Sequence, residues 1–141
     1  MIRLFDSFAG YGGAHYALAK AKITFEVVGF SENDPFASKL YELNHPGIQN
    51  FGDITKIDPE NLPDFDFFTG GFPCQPFSSA GLGEGEDDTR GTLFHDVLRI
   101  CEYKKPEHIL LENVKGLITK RHKDTLSTIK NTLEKNYTQE L

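Results

Sequence analysis

The chain has 141 residues, 38% of them hydrophobic and 26% charged. That is the length of one domain able to bury a core, and the composition excludes a disordered tail. No apolar run approaches the roughly 20 residues of a bilayer span, and the start MIRLFDSFAG, with an early Asp6, lacks the form of a secretory signal.

The net charge is −6, which argues against a general basic surface for nucleic acid. Its distribution is uneven: residues 1–100 carry 7 Lys+Arg against 15 Asp+Glu, whereas residues 101–141 carry 8 against 6. The two cysteines, Cys74 and Cys101, make no disulfide framework, so the expected compartment is the cytoplasm, and the nucleoid if the source is bacterial. None of the five histidines stands at metal-ligand spacing from a cysteine, so no metal site is expected.

In chain order, Ile2–Phe5 is a short apolar run that ends at Asp6, and Gly10, Gly12 and Gly13 lead into an alanine-rich helix over Ala14–Lys22. Phe25–Phe30 is β-branched and aromatic and predicts a strand. Asp34 followed by Pro35 has the form of an N-cap and first helical residue, opening a helix to about Asn44. Gln49–Phe51 is a candidate third short strand. Phe65–Thr69 is a near-continuous apolar run suited to a buried parallel strand. Residues 70–91 hold six glycines and read as loop. Leu93, Phe94, Val97, Leu98 and Cys101 recur at helical spacing over Thr92–Lys104. His108–Leu111 is another strand, and Leu126, Ile129 and Leu133 mark a last amphipathic helix to about Asn136. Tyr137–Leu141 reads as the beginning of one more strand. The alternation predicts an α/β fold built on an open, mostly parallel sheet with helices on both faces. Ligands of such sheets bind beyond the carboxyl ends of the strands, where Asp6–Gly13, Glu32, Asp53, Gly70–Gln75 and Glu112–Asn113 all fall.

Each of these segments has an ordinary reading beside a functional one. The glycines after Asp6 suit backbone approach to a ligand at a helix start, but an ordinary strand–helix turn uses them too. Their spacing also departs from the G-x-G-x-x-G of dinucleotide sites. Glu32, at the end of the second strand, can accept both hydroxyls of a ribose or be a plain surface acid. Asp53 can meet an adenine amino group or cap a turn. Cys74 stands in GGFPCQPFS with Pro73 stiffening the backbone before it. A rigidly presented loop thiol is a candidate nucleophile; a buried loop thiol is the alternative. Glu112 is a candidate proton donor or a capping acid.

Taken together and in this order, FAGYGG, the acid of SEND, GDI, GGFPCQPFS, RGTLF and ENV resemble the cytosine-C5 DNA methyltransferase family over essentially the whole chain. The resemblance implies a sheet of the S-adenosylmethionine-dependent, Rossmann-like type. It places Phe8, Gly10, Tyr11 and Gly12 along the cofactor, Glu32 on the ribose and Asn33 beside the adenine. Asp53 and Ile54 meet the adenine, and Pro73 and Leu93 border the methionine end. It further implies Cys74 as nucleophile on carbon 6 of a cytosine flipped out of double-stranded DNA, Glu112 at the ring N3, Asn113 holding the site, and Gln75, Ser78 and Arg90 in a loop closing over the base. The product would be S-adenosylhomocysteine, the setting restriction-modification, and the partner DNA rather than a membrane.

The resemblance has a limit. The arginine pair, the target-recognition domain and the closing C-terminal helix of the family have no counterpart here. The expectation is therefore a single partial catalytic domain over residues 1–141, truncated before the last strands: a fragment or split subunit that needs a complementing C-terminal subunit or self-associates. An RNA (tRNA) cytosine-C5 methyltransferase and a catalytically inactive binding module are the alternatives.

Overall fold

The computed structural model describes residues 1–73, 92–118 and 123–138. Four strands, β1 (Ile2–Ser7), β2 (Phe25–Ser31), β3 (Phe67–Gly70) and β4 (His108–Leu111), form one sheet in the order β2-β1-β3-β4. All three pairings are parallel. The helices are α1 (Gly13–Lys20), α2 (Pro35–Asn44), α3 (Leu93–Lys104) and α4 (Lys123–Glu134). The open parallel α/β sheet expected from the alternation is thus present. The chain winds outward from β1 to β2 and then returns past β1 to β3. The winding reverses between β1 and β3, which opens a crevice at their carboxyl ends.

Local chemistry explains the element ends. The Asp34 side chain accepts the amides of Phe36 and Ala37, and Pro35 follows it into α2. Thr92 caps α3 through the amide of His95. α1 stops at Lys20, two residues before the expected end, because Lys22 adopts a left-handed φ of 58°.

The expected strand at Gln49–Phe51 is reduced to a single parallel bridge, Asn50 to Phe30. Gly52, at φ 74°, turns the chain away before a ladder can extend. Tyr137 begins no strand: its amide donates to Leu133 O at the end of α4, and residues 139–141 lie outside the described residues.

Side-chain alternation divides the sheet. Phe5 and Phe68 face α3 and α4, in a core with Phe65, Phe94, Val97, Ile100, Cys101 and Ile129. Each such side chain, fully buried, stabilises the fold by roughly 1.5–3 kcal/mol. Phe30 lies on the other face, where Tyr41 of α2 stacks on it at 3.9 Å between ring centroids. Asp6 and Thr69 share that face with Phe30 through their register.

Candidate functional site

The turn from β1 to α1 is built from residues in unusual backbone conformations. Phe8, Gly10 and Gly12 have φ of 52°, 55° and 94°, and a non-glycine residue such as Phe8 is held there only by its surroundings. Ala9 N donates to Ser31 O at 3.2 Å. Glu32, just beyond β2, completes the anchorage: one carboxylate oxygen accepts Gly10 N at 2.9 Å and the other accepts Asp34 N at 2.8 Å. Gly12 has no room for a side chain, because a Cβ there would stand 2.6 Å from His45 Nε2.

Beside this turn, Phe8, Ser31, Glu32, Asn33, Gly52, Asp53, Ile54, Pro73 and Leu93 line a cavity of about 310 Å³. That volume lies at the low end of small-ligand sites, roughly 300–1,000 Å³. Phe8, Glu32, Asn33, Asp53, Ile54, Pro73 and Leu93 were singled out from the sequence; Ser31 and Gly52 were not. Gly10, Tyr11 and Gly12 shape the adjoining turn without lining the cavity, and Tyr11 is exposed.

The two acids of the cavity are held by their neighbours. Asp53 Oδ1 accepts Thr55 N and Thr55 Oγ1 at 3.0 and 2.8 Å. These bonds hold its carboxyl below the usual carboxylate range. The turn that follows is gripped by a residue the sequence reading missed. Arg99 of α3 donates to Ile54 O at 2.9 Å and to Ile57 O, and it pairs with Asp96 at 3.1 Å. Asn50 was also missed, and its carboxamide meets Glu32, Gly52 and Ser38.

The second part of the site lies where β3 and β4 end. Glu112 N donates to Gly70 O at 2.9 Å, continuing the β3–β4 pairing. Its carboxylate packs on the Gly71 backbone, where a Cβ would stand 2.8 Å from Oε2. Asn113 Nδ2 donates to Phe72 O at 2.8 Å, and its Oδ1 accepts Val114 N. Glu112 and Asn113 thus secure the stem, Gly71–Pro73, of the segment that carries Cys74. Cys74 itself, with Gln75, Ser78 and Arg90, lies outside the described residues. Cys101 is only 2% exposed in the α3 core, and burial pushes its thiol far up.

Asp6 sits at the sheet end between these parts. Burial is the main cause that pushes its carboxyl up to about 7, with Glu32 adding to the rise. Thr69 Oγ1 donates to Asp6 Oδ1 at 2.8 Å, while Oδ2 is buried without a partner. Among the described residues, no cluster of three or more His, Cys, Asp or Glu is placed to hold a metal, and no helix is long and apolar enough to cross a membrane.

Comparison with known proteins bears on this arrangement. The family profile described as C-5 cytosine-specific DNA methylase matches residues 2–139. Type II methyltransferase M.SsoII of Shigella sonnei is 50% identical over 137 residues, covering 96% of this chain and 36% of that protein. Type II methyltransferase M1.ScrFI of Lactococcus lactis subsp. cremoris is 48% identical over 132 residues, covering 94% and 33%. The chain therefore spans about a third of the length of these relatives. Among solved structures, the S. pombe Dnmt2 methyltransferase superposes with a TM-score of 0.67 at 27% identity, covering 93% of this chain and 40% of that one.

Proposed function

The chain belongs to the C-5 cytosine-specific DNA methylase family, and from that premise we propose that it is the cofactor-binding and nucleophile-bearing part of an enzyme that methylates carbon 5 of cytosine in double-stranded DNA. The methyl donor is S-adenosylmethionine and the product S-adenosylhomocysteine. The names of its relatives favour a place in restriction-modification, acting on DNA in the cytoplasm. The observation that carries the reading is the convergence of Phe8, Glu32, Asn33, Asp53, Ile54, Pro73 and Leu93 on one cavity.

The residues fit an adenosine-bearing ligand. Each oxygen of Glu32 accepts one backbone amide, which leaves lone pairs for two ribose hydroxyls. Asp53 has Oδ2 clear of Thr55 and able to accept an exocyclic amine. Phe8, Ile54 and Leu93 supply apolar walls, with Pro73 and Leu93 toward the methionine end. Bound S-adenosylmethionine would supply an electrophilic methyl group for carbon 5.

A stacked cytosine hides its ring atoms, so the base is flipped out of the duplex to be reached. Cys74, as thiolate, adds to carbon 6 and forms a carbon–sulfur bond. The ring electron density thereby displaced is met at N3 by a proton or hydrogen bond from Glu112, and carbon 5 becomes nucleophilic. After methylation a base removes the proton of carbon 5 and the carbon–sulfur bond breaks, returning the thiolate. Asn113 keeps the Cys74 stem in place through Phe72 O, and the resemblance assigns Gln75, Ser78 and Arg90 to the active site as well.

Two measurements test this. Calorimetry on the chain should give weak S-adenosylmethionine binding that Glu32→Ala abolishes; tight binding indifferent to that change removes the ribose assignment. With a complementing C-terminal half, DNA bearing 5-fluorocytosine should be trapped covalently at Cys74, and Cys74→Ser should lose several orders of magnitude in rate. An adduct at Cys101, or full activity in Cys74→Ser, overturns the assignment of the nucleophile.

A further inference from the structure

Beyond β2 the strand expected at Gln49–Phe51 does not form a ladder, yet the residues that follow are held by hydrogen bonds to β2 and Glu32. Phe30 N donates to Gln49 O at 3.0 Å and Phe51 N to Phe30 O at 2.8 Å, one rung of parallel pairing around Asn50. The next rung should join the peptide of Glu32 to the backbone beyond Phe51. Gly52 turns away at φ 74°, so that backbone is not there.

The Asn50 side chain takes its place. Its Oδ1 accepts Glu32 N at 3.2 Å and its Nδ2 donates to Glu32 O at 3.1 Å. One planar amide thus pairs with both backbone polar groups of Glu32, which a parallel neighbour would meet with two successive peptides. The same Oδ1 accepts Gly52 N at 2.8 Å, and the second Nδ2 hydrogen goes to Ser38 Oγ of α2 at 2.8 Å. Every donor of the carboxamide is used. Ser31 Oγ then donates to Gly52 O at 2.7 Å, so the Gly52 residue is held at both its amide and its carbonyl.

Glu32 and Asp53 reach the cavity from opposite sides of this bracket, and neither side is fixed by continuous secondary structure. We propose that Asn50 is a positioning residue for ligand binding: its carboxamide substitutes for the missing third-strand backbone and sets Glu32 and the Gly52–Asp53 turn in the relation at which both acids face one ligand. This rests on the S-adenosylmethionine reading of the cavity and adds to it what fixes the two acids. Asn50 does not line the cavity, so it acts through Glu32 and Gly52.

The test is a double-variant cycle read by calorimetry with S-adenosylmethionine on the intact chain. Asn50→Asp keeps the size and the acceptor but loses both donations; Asn50→Ala loses all four bonds. Both are first checked for a wild-type circular dichroism spectrum, and the milder Asn50→Asp serves if Asn50→Ala does not fold. Each should weaken binding at least tenfold. In a Glu32→Gln background the same change should weaken it by clearly less than in the wild type, because one of the two acids it positions is already impaired. A purely structural Asn50 would cost affinity equally in both backgrounds, and that additivity overturns the inference. So does wild-type affinity in either folded variant. A wild-type chain that gives no isotherm instead overturns the cofactor reading, and the inference falls with it.

Discussion

The Glu112 carboxylate lies against the backbone of Gly71, in the stem of the Cys74 segment. A Cβ at residue 71 would meet Glu112 Oε2 at 2.8 Å and Cδ at 4.0 Å. The obstacle is the far end of a flexible side chain, so Gly71→Ala should cost little stability, within about 1 kcal/mol. Under the role proposed for Glu112, it should nevertheless push the carboxyl away from the flipped base. In the complemented enzyme we expect transfer of labelled methyl to DNA to fall at least tenfold, against the roughly 10²–10⁴-fold that a positioned proton donor supplies. A full rate in Gly71→Ala would separate Glu112 from the chemistry. Asp6 offers a second outcome at this scale. Its folded carboxyl is raised from 3.8 to about 7, so the folded state holds the proton more tightly than the unfolded chain. Its contribution to stability is complete below the ordinary carboxylate value and is lost as pH rises towards 7. The difference across that window is on the order of 4 kcal/mol. Asp6→Asn should remove this decline, of which urea denaturation at pH 5 and pH 8 would read somewhat over half. An unchanged decline in the variant would place its source elsewhere.

At the scale of elements, α1 and the end of α2 meet through a pair of imidazoles. His15 and His45 stack with centroids 3.8 Å apart and planes 18° apart, with Tyr16, Tyr41 and Phe25 around them. His15 Nδ1 and His45 Nε2 are buried without partners. Burial lowers both groups below the usual histidine value, and His15 is lowered further by its neighbour. The sign is opposite to that of Asp6. The packing is fully present above the unfolded value near 6.5 and is lost as pH falls through the folded values. Since His45 also lies against Gly12, the first casualty should be the turn that carries Phe8 and Gly10. We expect His45→Gln to flatten the loss of stability between pH 7 and pH 5, and amide exchange in α1 to accelerate over that range in the wild type only. Equal pH dependence in both would show that the stack contributes nothing.

For the whole molecule, the outer flank of β4, which no described strand covers, should govern association in solution. His108 N and Glu112 N donate toward β3, so alternation turns the amides of Ile109 and Leu111 outward. Among the described residues no strand lies beyond β4. Beside it runs a groove of about 300 Å³ between β4 and α4, lined by Ile109, Leu111, Leu126, Ile129, Leu133 and Tyr137. An unpaired edge next to apolar side chains is a site for strand addition. In dilute solution the amides of Ile109 and Leu111 should exchange at least tenfold faster than those of Leu110 and Glu112. As concentration rises, their exchange should slow in step with a growing mass by light scattering. Protection that is strong at every concentration, in a chain that stays monomeric, would mean that the edge is already covered.

The alternation of strand and helix, the Asp34–Pro35 start of α2, the Thr92 start of α3 and the acids at strand ends were legible in the sequence, because each is written in residues a few positions apart. Periodicity and capping are local, and resemblance to a family adds spacing along the chain. The convergence of Phe8, Glu32, Asp53 and Leu93 on one cavity was an expectation from that resemblance, and only the tertiary structure brings them together. Gln49–Phe51 has strand-like residues, and what ended the strand was the left-handed turn at Gly52, with the Asn50 side chain taking over the pairing. Nothing local marks Asn50 or Arg99. Their partners Glu32 and Ile54 lie 18 and 45 residues away, and a side-chain amide or guanidinium gains a role only when a distant backbone group is folded within hydrogen-bond reach. The upward shift of Asp6 has the same origin, since the sequence shows a carboxylate at a strand end while its desolvation comes from the elements that close over it.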